Sequence, residues 1–117
     1  MDNRIVAAGA MLGGLGVILG AFGAHALKAG LGEEALGWWH TAVEYQMWHA
    51  LAVLALGLSR VRAGRLSAWL LAGGVSVFSA TLYAMALGGP HWLGAVTPIG
   101  GLIMIVGWTV LVFRALR

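Results

Sequence analysis

The sequence predicts an all-α integral membrane protein, a four-helix bundle with both termini in the cytoplasm. Three observations lead there. Charged residues make up 9% of the 117-residue chain and hydrophobic ones 61%. Soluble domains average roughly a quarter charged residues, so this composition cannot coat a globule with solvated surface. Apolar stretches at about residues 5–26, 40–58, 66–87 and 98–113 come close to the ~20 residues that span a bilayer. Basic residues fall on alternate connections, as topology signals do.

Each apolar run must be a helix, because hydrocarbon offers a free backbone no hydrogen bonds. The first run follows Arg4, and with Ala24-His25-Ala26 it mimics a secretory signal with a small-x-small cleavage site. Its apolar stretch of about 20 residues exceeds the 7–15 of a signal core, so it reads as a retained span. Between the first two runs, "KAGLGEEALGWW" carries Glu33 and Glu34 among Leu31, Leu36, Trp38 and Trp39. That pattern predicts a short amphipathic helix on the outer interface, with the paired tryptophans at headgroup depth. The second connection, "SRVRAGR", reads as a tight basic turn. The third, "GGPHWLGAVTP", has turn chemistry, and Thr97-Pro98 reads as an N-cap followed by proline at the first helical position. The whole chain, 1–117, forms one transmembrane domain.

Orientation follows from charge. Arg4, Arg60, Arg62, Arg65, Arg114 and Arg117 lie at one end of the expected helices, and only Lys28 lies in the first or third connection. The positive-inside rule puts the six-arginine end in the cytoplasm, and four spans return both termini there. This edge placement of basic charge is not a nucleic-acid surface.

Helix association in lipid relies on close packing, because lipid tails are as apolar as leucine. Gly9, Gly13, Gly16, Gly20 and Gly23 recur every three or four residues and share one stripe of the first helix. The stripe serves packing within the chain or a homo-oligomer interface; the first use is the simpler. Gly73, Ser76, Ser79 or Ala80, and Tyr83 form a corresponding stripe on the third helix, and Gly100, Met104 and Gly107 one on the fourth. Small inward faces with Leu/Val/Ile-rich remainders suit a compact bundle.

The second run is the unusual one. "TAVEYQMWHALAVL" places Glu44, Tyr45, Gln46 and His49 where lipid rejects polar groups. At 100° per residue, His40 and Glu44 share one face, and Tyr45, Gln46 and His49 share another. For Glu44 the bland reading is a carboxylate near the positive N-terminal end of its helix, reached by His40 or water. For His49 the bland reading is an interhelical hydrogen bond to Tyr83, Ser79 or Ser76. The sharper reading is a polar pocket of His25, Tyr45, Gln46, His49, Ser79 and Tyr83, opening toward the outer leaflet.

The stretches "GAFGAHAL", "TAVEYQMWHALAVL", "FSATLYAMALGG" and "LGAVTPIGGLIMIVGW" together resemble the small membrane proteins classed as domain-of-unknown-function family 423. That family includes bacterial inner-membrane proteins and homologues of transmembrane protein 256. The resemblance runs in order over nearly the whole chain. It implies a four-helix protein of the bacterial cytoplasmic (inner) membrane and supplies no catalytic residues to carry over. Its motif positions are His25, Tyr45, Gln46, His49, Ser79, Tyr83, Thr97 and Pro98.

For function, the expectation is a non-enzymatic scaffold or partner-binding bundle, set among membrane lipids and partnered by its own copy or another membrane protein. No nucleophile–base pair, phosphate-cradling loop or paired-carboxylate motif points to catalysis. The chain has no cysteine, and the four histidines lack zinc-motif spacing, so neither a metal nor a cofactor is expected. The alternative is a small channel or transporter subunit, or a lipid-binding protein, using the pocket around His49.

Overall fold

The computed structural model describes residues 1–60 and 62–117; Val61, within the basic turn, lies outside them. Among the described residues there are four α-helices: α1 (Asn3–His25), α2 (Glu33–Leu58), α3 (Gly64–Ala86) and α4 (Thr97–Ala115). A short 3-10 helix, His91–Ala95, precedes α4. Asp2 starts α1 as an N-cap, its carboxylate accepting from the backbone N–H groups of Arg4 and Ile5 at 3.0 and 3.3 Å. Past α3 the chain turns at Gly88, whose φ of 99° is a left-handed conformation that glycine adopts without strain.

Two expected boundaries move. The residues expected to form a separate interfacial helix, Glu33 to Trp39, are instead the first turns of α2, which runs unbroken for 26 residues. No proline intervenes to stop it. At α4 the N-cap is Val96 rather than Thr97, whose hydroxyl turns back to the Leu93 carbonyl at 3.1 Å and to Thr81 at 2.7 Å.

α1, α3 and the segment His91–Ala115 are long and apolar enough to cross a membrane. α2 falls short of that criterion because of its polar residues. It runs between the end of α1 and the start of α3 and packs along both.

Each helix packs mainly on its neighbour in the chain, and α1 and α4 do not meet among the described residues. The result is a flattened, open bundle of 48 × 26 × 18 Å, less closed than the compact one expected. Glycines set this arrangement. A Cβ on Gly9 would stand 2.6 Å from the Leu54 backbone nitrogen, and one on Gly57 2.7 Å from that of Val6, so α1 and α2 touch backbone to backbone. Gly74 and Gly100 do the same for α3 and α4: a Cβ on Gly74 would lie 2.8 Å from Met104 N, and one on Gly100 2.6 Å from Phe78 N. Gly100, Met104 and Gly107 are the buried residues of α4, all on its α3 side. On α3 the stripe differs from expectation. Gly73 and Ser76 are exposed, and Gly74, one position on, makes the close approach. The shift rotates the small face by the ~100° that separates neighbouring helical residues.

Ile5, Val53, Leu71, Val75 and Met104 form the centre of the core. Outside it, a surface rich in exposed leucine, isoleucine, valine and tryptophan suits lipid. At the Asp2 end the N-terminus is tied down twice. The Asp2 backbone N–H donates to the Gly57 carbonyl at 2.8 Å, and Arg65 donates to the Asp2 carboxylate at 2.9 and 2.6 Å. The bond from Arg65, more than the backbone bonds from Ile5 and Arg4, holds that carboxyl below its usual range.

Candidate functional site

The inward face of α2 carries Trp39, Ala42, Gln46, His49 and Val53, spaced to share one side of a helix, and all five are buried. Their side-chain polar atoms are hydrogen-bonded, all but one by neighbours on other helices. Gln46 Nε2 donates to the Leu12 carbonyl of α1 at 2.8 Å, and Gln46 Oε1 accepts from the Tyr83 hydroxyl of α3 at 2.7 Å. The side-chain amide thus joins three helices at one level. Nearby, the Ser79 hydroxyl donates to the Ala42 carbonyl at 2.8 Å.

His49 is engaged on both ring nitrogens, though not by the partners the sequence suggested. Nδ1 lies 2.8 Å from the Tyr45 carbonyl, and Nε2 lies 3.1 Å from the indole Nε1 of Trp108 on α4. A carbonyl only accepts and an indole N–H only donates, so Nδ1 carries the proton and Nε2 accepts. Tyr83, Ser79 and Ser76 are occupied elsewhere: Ser76 bonds its own Ala72 carbonyl at 2.6 Å.

The six residues expected to line one pocket divide into three places. Gln46, Ser79 and Tyr83 cluster where α1, α2 and α3 meet. Tyr45 and His49 face α4 instead, where Tyr45 packs its ring 4.6 Å from Phe78 and 6.1 Å from His49. The 100° step from Tyr45 to Gln46 sends the two side chains to opposite sides of the α2–α3 contact. His25 is the last residue of α1 and exposed, and no hydrogen bond or ring contact joins it to the others among the described residues. The Tyr45–His49 group opens on an apolar cleft of about 280 Å³, walled by Phe78, Met104, Ile105 and Trp108.

The glycine stripe of α1 faces α2 throughout. A Cβ on Gly16 would strike the Met47 sulfur, and one on Gly23 the Trp39 ring. At Gly20 and Gly13 the nearest atoms, Val43 Cγ1 and Ala50 Cβ, would lie 3.3 and 3.9 Å away. Gly23 makes room for a residue expected at the interface. Trp39 is 2% exposed, donates through Nε1 to the Leu19 carbonyl at 2.8 Å, and stands edge-on to Tyr83 at 4.6 Å. Its place in the Trp39–Ala42–Gln46–His49–Val53 periodicity was the signal for burial. Trp108 had a weaker one, lying four residues beyond Met104 on the α3-facing side.

Glu44 departs from its bland reading. It lies three turns into α2 rather than in the first, beyond the reach of the helix N-terminal charge, which fades within a turn. It is exposed, as is His40. No group of three or more His, Cys, Asp or Glu side chains converges to hold a metal among the described residues.

A family model described as a protein of unknown function, DUF423, matches residues 19–101. The chain belongs to this family. Among DUF423-like relatives, a UPF0382 membrane protein of Haemophilus influenzae is 38% identical over 122 residues, covering 100% of this chain and 97% of that protein. The UPF0382 inner membrane protein YgdD of Escherichia coli is 40% identical over 114 residues, covering 92% and 86%. The UPF0382 membrane protein YwdK of Bacillus subtilis is 40% identical over 108 residues, covering 88% of each. No solved structure matches. The DUF423 match takes in the Gln46–Tyr83 bond and stops short of Trp108.

Proposed function

We propose that the chain is a non-enzymatic module of the bacterial inner membrane that binds a second copy of itself through the exposed stripe of α2. The inner-membrane placement draws on the name of the Escherichia coli relative. The observation that carries the binding is Glu44. Gly37, His40, Glu44, Trp48 and Leu51 are all exposed and recur every three or four residues, so they form one continuous face. At 1.5 Å per residue, Glu44 lies about 21 Å along α2 from Leu58, within the reach of a hydrocarbon layer about 30 Å thick. A carboxylate there is costly against lipid and calls for a protein partner. A two-fold pair of α2 helices supplies one, setting His40 of each copy toward Glu44 of the other.

The absence of cysteine makes the test clean. Single-cysteine variants at Leu51 and Gly37 should crosslink into dimers in native membranes, whereas controls at Ile18 and Val106, exposed on α1 and α4, should not. Adding Glu44→Gln should weaken the α2 crosslinks. Reactive but uncrosslinked thiols at both α2 positions would refute the interface.

The cleft beside His49 favours a second reading, lipid binding, because its walls suit an acyl chain. A channel or transporter needs a polar lining, and here His49 has both nitrogens engaged. Gly101→Leu, which fills the cleft, should release a bound chain; unchanged lipid retention would remove this reading.

A further inference from the structure

At the other end of α2 the molecule carries a concentrated positive charge. α2 ends at Leu58 and α3 begins at Gly64, and Arg60 and Arg62 lie in the short connection between them. Arg60, Arg62 and Arg65 there line a cleft of about 230 Å³, with Met1, Asp2, Ser59 and Leu56 completing its wall. Asp2, the one carboxylate in the cleft, is already engaged by Arg65. Among the described residues no carboxylate pairs with Arg60 or Arg62, and both are exposed. The cleft therefore presents two uncompensated guanidinium groups beside a neutralised ion pair.

We propose that this cleft binds the phosphate group of an anionic glycerophospholipid, with Arg60 and Arg62 as its ligands. A guanidinium offers paired N–H donors that match two phosphate oxygens. The cleft lies at the first turn of α3, a helix long and apolar enough to cross a membrane, where a headgroup would sit, and Leu56 adds an apolar flank. The Asp2–Arg65 pair positions the wall and removes the one charge that repels a phosphate. The proposal is independent of the α2 interface, whose exposed stripe from Gly37 to Leu51 includes none of the cleft residues.

Basic residues at helix ends also attract anionic lipid without any shaped site, and Arg114 and Arg117 provide the control. Gly74 meets Gly100 and Met104 while Leu71 meets Gly107, so α4 runs antiparallel to α3 and returns its C-terminus to the Arg65 end. The full chain in neutral detergent is offered phosphatidylglycerol or phosphatidylcholine, and retained lipid is counted by native mass spectrometry. Phosphatidylglycerol should be preferred. R60Q/R62Q should reduce its retention roughly 25-fold, about fivefold per arginine, and R114Q/R117Q should leave it unchanged. Circular dichroism checks the helices; if the double variant loses them, R62Q alone should show the fivefold loss. Equal retention of both lipids, or an equal loss from R114Q/R117Q, overturns the site. Displacement of the lipid by millimolar inorganic phosphate overturns the lipid assignment in favour of a free anion.

Discussion

His49 holds two helices through one ring. Its Nδ1–H closes on the Tyr45 carbonyl of its own helix, and its Nε2 accepts from Trp108 across the cleft. Interhelical hydrogen bonds in membranes average about 0.6 kcal/mol. Trp108→Phe should therefore lower stability modestly, and a double-mutant cycle with His49→Leu should give a coupling near that value in reversible detergent unfolding. A coupling of several kcal/mol would mean a larger polar network than the geometry describes. Asp2 behaves differently, because its contribution depends on pH. Its carboxyl is held below the usual carboxylate range, first by Arg65. A depressed carboxyl stabilises the fold above its unfolded pKa, and that contribution fades as pH falls through the folded value. Amide protection near the N-terminus, taken relative to the intrinsic exchange rate at each pH, should be steady from pH 7 to 5 and fall only below about pH 4; Asp2→Asn should remove that fall.

Among the helices, glycine divides into contacts and spaces. Gly9→Ala forces a Cβ against the backbone of Leu54, and Gly14→Ala meets nothing within 4 Å. The first should cost about 1–3 kcal/mol by overpacking, and the second should be neutral or slightly stabilising through helix propensity. The same contrast holds on α3–α4 between Gly100→Ala and Gly73→Ala. Thermal aggregation in detergent ranks the four variants, and equal effects at Gly9 and Gly14 would contradict the packing. The α1 stripe was legible in the sequence because its period matches the helix and nothing competes with it. On α3 two adjacent glycines, Gly73 and Gly74, offer two possible faces, and periodicity alone does not choose between them. Trp39 was misplaced for a related reason: a tryptophan suits both the interface and a glycine-lined core, and only the position of Gly23 decides.

For the whole molecule, four helices and a membrane setting could be read from apolar length and charge. Polar partners could not, since the sequence says which side chains need a hydrogen bond but not which helix supplies it; hence Trp108 in place of Tyr83. Sidedness rests on the arginines. Reporter fusions after Arg65 and Arg117 should report cytoplasm, and one after Glu34 the opposite side; a cytoplasmic signal after Glu34 would remove the α1 span. The open packing has a consequence for biosynthesis. With α1 and α4 apart and each helix packed mainly on its chain neighbour, no early helix must wait for the last one to emerge. Each hairpin can close as soon as its second helix is inserted, at the small loop-closure cost of a local contact. Two separately expressed halves, divided between α2 and α3, should consequently find each other in the membrane and restore the Gln46–Tyr83 bond.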